Sequence, residues 1–386
     1  MQTPFLDRRS QKGSSLREPF YDPQKSYDEN YDQGPFGVFA DGEDLRINEE
    51  PASPAKRGEP KYDFLGFKIN SPFGIAAGPL VNSKFCKAAF QKGFDVVHYK
   101  TRRSVAFPSN PWPNVLSVEV EGDLIPPPGG IKQPLLGTSN FDNDPKTFSI
   151  TNSFGNPSPE PPSVWVEDMK AAIKAEGKGQ LLIASVVGTI QEGFSQEDYY
   201  NDFAKAAEMA ASTGVKVIEV NLSCPNVASE GVVCYSKTAV LSICQKVKEK
   251  IGEIPMLIKL GYFSADQQQL LEEIIESVLP NISGVAAINT IPAPVVDEKG
   301  NQALPGEGRL NAGICGAGIK WAGLDMVKRL KTLREKLGKD FAIIGVGGVM
   351  TADDFLEYRK AGADVVQSAT GAMWNPYLAR EIKNFI

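Results

Sequence analysis

From about Tyr62 onward, short apolar runs alternate with stretches whose apolar residues recur every three or four positions, the pattern of strands feeding amphipathic helices. Eight runs can be counted. They are FGIAA (Phe73–Ala77), VVHY (Val96–Tyr99), LLIASVV (Leu181–Val187), VKVIEVNL (Val215–Leu222), PMLIKL (Pro255–Leu260), GVAAIN (Gly284–Asn289), FAIIGV (Phe341–Val346) and VVQSA (Val365–Ala369). Between them, Ser195–Ser212, Ser236–Ile251, Ala265–Val278, Gly323–Leu337 and Ala352–Lys360 carry helical spacing. Eight β/α units in series predict an α/β fold of the closed (β/α)8 kind, the TIM barrel; a doubly wound open sheet is the alternative.

Two segments break the rhythm. Residues 1–60 are rich in Asp, Glu, Lys, Pro, Ser and Tyr without a sustained period, and are expected to form a polar N-terminal arm, flexible or loosely docked. Residues 61–386 are then the barrel domain. Within it, about 104–162 is crowded with Pro, Gly, Asn and Ser (PSNPWPN, PPPGG, GNPSPEPP), which rules against helix and suggests an insertion covering the C-terminal face of the barrel.

Composition narrows the function classes. A net charge of -6 leaves no general basic surface for nucleic acid or anionic lipid, so a small-molecule substrate is expected. The five cysteines form no C-x-x-C pair, which fits neither a disulfide framework nor a metal or iron–sulfur site. With no secretion-like start and no run of about 18 apolar residues, the expected location is cytoplasmic.

Barrels of this kind place their reactive groups at the C-terminal ends of the strands. The second run ends in Lys100-Thr101, the fourth in Asn221-Leu222-Ser223-Cys224-Pro225-Asn226, the fifth carries Lys259 and the sixth closes on Asn289-Thr290. Lysines at such positions need anionic partners, either a ligand at the mouth or structural carboxylates. The glycines of Gly345–Gly348 and the Ala369-Thr370-Gly371 turn follow the last two runs, where a phosphate can approach backbone N–H groups; tight βα turns are the competing explanation. GVGGVM lacks the G-x-G-x-x-G spacing of dinucleotide folds, so a mononucleotide such as FMN fits better. Cys224, on a turn set by Pro225 among polar residues, is the cysteine placed to act as a thiolate base, against an inert buried role for the other four. His98 is the single histidine and lies within a strand, where a structural role is expected.

Asn221-Leu-Ser-Cys-Pro-Asn226 resembles the signature of the soluble, cysteine-base class 1 dihydroorotate dehydrogenases. GIAAG (Gly74–Gly78), YKT (Tyr99–Thr101), NSFG (Asn152–Gly155), IKL (Ile258–Leu260), INT (Ile288–Thr290), GICGAGIK (Gly313–Lys320) and GVGGV (Gly345–Val349) are similar to family motifs in the family's order, over roughly Tyr62 to Ile386. The resemblance implies an FMN flavoprotein acting on a CH–CH bond in de novo pyrimidine biosynthesis, which oxidises (S)-dihydroorotate to orotate. A C5 proton would pass to Cys224 and a C6 hydride to the flavin. Asn152, Asn221, Asn226 and Asn289, with Thr290 and Gly155, would bind substrate, and Lys100 would pair with substrate and flavin. Ala76, Ala77 and Gly78 would lie along the flavin, Lys259 near its pyrimidine edge, and Thr101, Asn221, Gly316, Gly347, Gly348, Ala369 and Thr370 near ring or phosphate.

Three departures from the family pattern gather near the mouth: the arm, the insertion, and IPAPVVDEKG after Thr290. Ala369 also stands where glycine is common. The resemblance further implies a homodimer and leaves the oxidant open among fumarate, NAD through a partner subunit, and a quinone. Two other functions use the same residues: an FMN barrel oxidoreductase for another dihydropyrimidine, and a non-redox phosphate-binding isomerase or aldolase with Lys259 as Schiff-base amine.

Overall fold

A computed structural model describes residues 18–46, 59–141, 144–223 and 233–386. All eight apolar runs are strands: Phe73–Ile75, Val96–Arg102, Leu181–Val186, Val217–Asn221, Met256–Leu260, Gly284–Ala287, Ala342–Val346 and Val365–Ser368. Each pairs in parallel with the next, and Val365–Ser368 returns to Phe73–Ile75 through Val366↔Phe73. The sheet is therefore a closed (β/α)8 barrel, and the open doubly wound alternative is excluded. Strands covered on both faces can be apolar throughout, which is why these runs lacked alternation.

The interior is packed by Val96, Leu181, Ile183, Val217, Leu257 and Ile344. A hairpin of Tyr62–Phe64 and Phe67–Ile69 adds Phe64 and Ile69 to the same cluster. It sits at the N-terminal end of the strands, where the Asn70 N–H donates to Gly179 O at 2.9 Å. The mouth is at the other end. Helices start where side chains cap their first N–H groups: Ser195 with Asp198 and Thr351 with Asp354 form reciprocal capping boxes before Gln196–Ala211 and Ala352–Ala361. Lys320–Leu337 stops at Gly338, in the left-handed region.

Among its described residues the insertion is free of helix up to Pro162, as its Pro and Gly content predicts, but it is not irregular throughout. Ser117–Val118, Leu135–Thr138 and Ser149–Asn152 join Ile291–Val296 and Asn311–Gly316 in a second, five-stranded closed sheet at the mouth. IPAPVV, read only as a Pro-containing departure, supplies one of its strands, and Pro292 and Pro294 pair opposite Gly313 and Asn311. The arm also differs from expectation. Over 18–46 it is packed onto the barrel, with Phe20 and Tyr21 fully buried and the Phe20 N–H donating to Met373 O at 3.0 Å. Composition made this stretch look polar, yet a few aromatic side chains bury enough apolar area to hold a short segment down.

Strand contact at Gly74 leaves no room for a side chain, since a Cβ there would lie 1.6 Å from Val96 O and 2.4 Å from Val96 C. Both are backbone atoms of the neighbouring barrel strand, which cannot swing aside. Gly74→Ala is expected to cost about 3 kcal/mol of stability or to prevent folding. An unchanged urea midpoint would contradict this close approach.

Candidate active site at the mouth of the barrel

The strand ends and the loops after them line a cleft that is partly open to solvent. Its lining includes Ala76, Ala77, Asn152, Asn289 and Thr290. Gly316, Gly347, Gly348, Ala369 and Thr370 line the same cleft. Gly347 and Gly348 have φ of +127° and +65°, and a Cβ on Gly348 would lie 2.6 Å from Lys320 Cβ, so this loop needs glycine to hold its course. Lys259 joins the same lining from the Met256–Leu260 strand.

Lys259 is 5% exposed, and its ammonium makes no hydrogen bond or ion pair with the described residues. Burial lowers its pKa, and the Glu219 charge opposes that shift. An ammonium so placed, in a cleft that glycine loops also line, suits an anionic ligand, and the set fits a flavin phosphate with its electron-rich ring.

Beneath the cleft lies a polar layer that the apolar runs conceal. Glu219 comes from the Val217–Asn221 strand, His98 from Val96–Arg102 and Gln367 from Val365–Ser368. His98 Nδ1 is 2.7 Å from Gln367 Nε2. His98 Nε2 is 3.2 Å from Glu219 Oε2, within ion-pair distance but off the line of a hydrogen bond. Ser185 Oγ donates to Glu219 Oε1 at 3.1 Å and lies 3.0 Å from Thr101 Oγ1. Burial alone would raise the Glu219 carboxyl; attraction to His98, then Lys259 and the Ser185 hydroxyl, outweighs it and holds the group at about 2.

Around the cleft the candidates form two clusters. Asn289 Nδ2 donates to Ser223 Oγ at 3.0 Å and to Asn221 Oδ1 at 3.4 Å, while Asn289 Oδ1 accepts from the Thr290 N–H at 2.9 Å. Lys100 Nζ donates to Gly155 O and to Asn156 Oδ1, both at 3.1 Å. Gly78 stands behind Asn152, whose Nδ2 would be 3.9 Å from a Cβ there. Thr101 turns towards Ser185 and is not part of the cleft wall. Cys224 and Asn226 lie outside the described residues; Ser223, immediately before them, is in the Asn289 network. Two groups escaped the sequence reading. A glutamate inside VIEVN was a visible signal for the buried layer, whereas Cys315, which lines the cleft, had none.

A closed parallel barrel with cations, amides and glycine loops gathered at the C-terminal ends of its strands defines an enzyme of the (β/α)8 class. The family model described as dihydroorotate dehydrogenase matches residues 143–386. A dihydroorotate dehydrogenase of Dictyostelium discoideum is 34% identical over 96% of this chain and 98% of its own length. The catalytic subunit of dihydroorotate dehydrogenase B (NAD(+)) from Listeria monocytogenes is 29% identical over 52% of this chain and 60% of its own length. The chain belongs to the dihydroorotate dehydrogenase family, flavin-dependent oxidoreductases acting on a CH–CH bond. Among the described residues no helix is long and apolar enough to cross a membrane.

The buried layer has a pH signature. Glu219 ionises at about 2 in the folded chain against an ordinary 4.5, so its ionisation stabilises the native state above pH 4.5. That contribution, on the order of 3 kcal/mol, is lost as pH falls from there towards 2. Urea midpoints between pH 5 and 3 should drop steeply for the wild type. Glu219→Gln should be less stable at pH 7 and show a flatter acid dependence; an equally steep drop in that variant would remove Glu219 as the source.

Proposed function

We propose that this chain is a class 1 dihydroorotate dehydrogenase, oxidising (S)-dihydroorotate to orotate with FMN and with Cys224 as the base. The observation that carries this reading is the cleft wall in which Lys259, Asn152, Asn289 and Thr290 share one space with the Gly347–Gly348 loop. Lys259, Gly316, Gly347, Gly348 and Thr370 would hold FMN, with Ala76, Ala77 and Gly78 along it. When bound, FMN supplies the acceptor for the hydride equivalent.

The chain's own residues supply binding and the proton transfer. Asn152, Asn221, Asn226 and Asn289 offer both donors and acceptors, matching the alternating N–H and C=O edge of a dihydropyrimidine. Lys100 offers a cation for its carboxylate, and the carbonyls of Gly155 and Asn156 keep that ammonium in place. Cys224 follows Ser223 directly in the sequence, and Ser223 belongs to the Asn221–Asn289 cluster. As a thiolate it takes the C5 proton while the substrate is held between the amides. The Lys259 charge favours electron density gathering beside it. The same reading has the protein work in the cytoplasm as a homodimer.

The purified protein should be yellow, and anaerobic dihydroorotate should bleach its flavin absorbance. Bound flavin that stays oxidised points to another dihydropyrimidine, and absence of flavin to the non-redox barrel. Cys224→Ala should retain FMN but slow flavin reduction by about 10²-fold or more, measured by stopped flow. A variant that reduces flavin at the wild-type rate would sink the base assignment.

A further inference from the structure

The N-terminal segment does more than cover the barrel, because its aromatic side chains converge on the loop that carries substrate-site residues. Tyr21 is fully buried, and its ring centre lies 4.7 Å from that of Phe154; the Tyr27 ring lies 6.4 Å from the same centre. These are the two aromatic rings that meet Phe154 among the described residues, and both come from the arm. Tyr21 Oη donates to Asn114 Oδ1 at 3.4 Å, and Asn114 O accepts from the Ser153 N–H at 3.1 Å. Trp112 Nε1 donates to Pro23 O at 2.9 Å, tying the insertion to the arm as well. Buried Arg102 donates to Pro157 O at 2.6 Å and to Tyr27 Oη at 3.4 Å.

Phe154 also meets Lys100, whose Nζ lies 5.8 Å from the ring centre and donates to the next two residues of the loop. Asn152 is held by its strand pairing with Gly313, and Asn110, Arg309 and Arg103 bond to Ser153 and Asn156, but the Phe154 ring between them packs on the arm and Lys100 ends beside it. The stretch from Ser153 to Asn156 has no regular secondary structure, so side-chain contacts such as these set its course.

We propose that residues 18–46 brace the rim of the substrate site from outside, with Tyr21 a positioning residue that packs Phe154 and thereby helps to fix the Ser153–Asn156 loop and the Lys100 ammonium. The inference rests on the assignment of Asn152 and Lys100 to substrate binding. The flavin contacts, carried by barrel strands and their glycine loops, do not depend on it. Loss of the Tyr21 ring frees the loop, and substrate then has to order it on binding.

The test compares full-length, flavin-loaded wild type with Tyr21→Leu, Tyr21→Phe and Phe39→Leu. Phe39 is an equally buried arm residue that packs on Phe20 and Phe94, away from the loop. Orotate affinity is read from the flavin spectrum, dihydroorotate KM and kcat from turnover, and loop order from amide hydrogen exchange at Ser153–Asn156. Tyr21→Leu should weaken orotate and raise KM about tenfold, keep kcat within about twofold, retain FMN, and exchange faster in the loop. Tyr21→Phe and Phe39→Leu should resemble the wild type. Wild-type orotate affinity and loop exchange in Tyr21→Leu would overturn the proposal. If that variant does not fold, Phe154→Leu removes the opposing ring and decides the matter by the same two readouts. Accelerated loop exchange in Tyr21→Leu, with a wild-type flavin that responds to neither orotate nor dihydroorotate, would leave the positioning role standing and sink the substrate assignment.

Discussion

A cation buried at the mouth of a parallel barrel has to be compensated, and the way each lysine is compensated organises the site. Desolvating an ammonium costs several kcal/mol unless charge or hydrogen bonds replace the lost water. Lys100 is satisfied by a carbonyl and an amide oxygen of the neighbouring loop. Among the described residues Lys259 has the more distant support of Glu219, itself held ionised by His98, Lys259 and Ser185, and it lines the cleft. The first lysine is held in place by protein oxygens; the second lines the cleft directly. That asymmetry suits a substrate anchored by the loop and a cofactor whose ring accumulates negative charge.

The division of labour follows from where rigidity is available. Barrel strands, hydrogen-bonded on both sides, carry the charged groups, and the Gly347–Gly348 turn follows one of them directly, where geometry tolerates little error. The second sheet, assembled from the insertion and the segment after Thr290, brings Asn152 to the rim and encloses the mouth. The arm then packs its aromatic rings against the loop that leaves that sheet. Three segments that depart from the plain barrel pattern thus converge on one end of it, where an enzyme of this family excludes water and selects its substrate.

The barrel was legible in the sequence because its strands are buried on both faces and so read as uninterrupted apolar runs. Helix starts were legible for a local reason: Ser195, Ser236 and Thr351 cap their own first turns whatever the rest of the chain does. The positions of Lys100, Asn221, Lys259 and Asn289 at strand ends followed from the same count. These features depend on neighbours close in the chain, so the order of residues by itself determined them.

Tertiary structure alone decided what depends on partners far along the chain. Ser149–Asn152 becomes a strand because Asn311–Gly316 lies beside it, a pairing that Pro- and Gly-rich text gives no means to foresee. The arm is polar in composition, and it is held down by partners far along the chain, among them the pockets that take Phe20 and Tyr21. Glu219 stood visible in an apolar run, but its charge state comes from His98, Lys259 and Ser185 on three other strands. Local spacing sets elements and their ends; burial, pairing and the compensation of charge are properties of the closed barrel, because they exist only once distant strands share one interior.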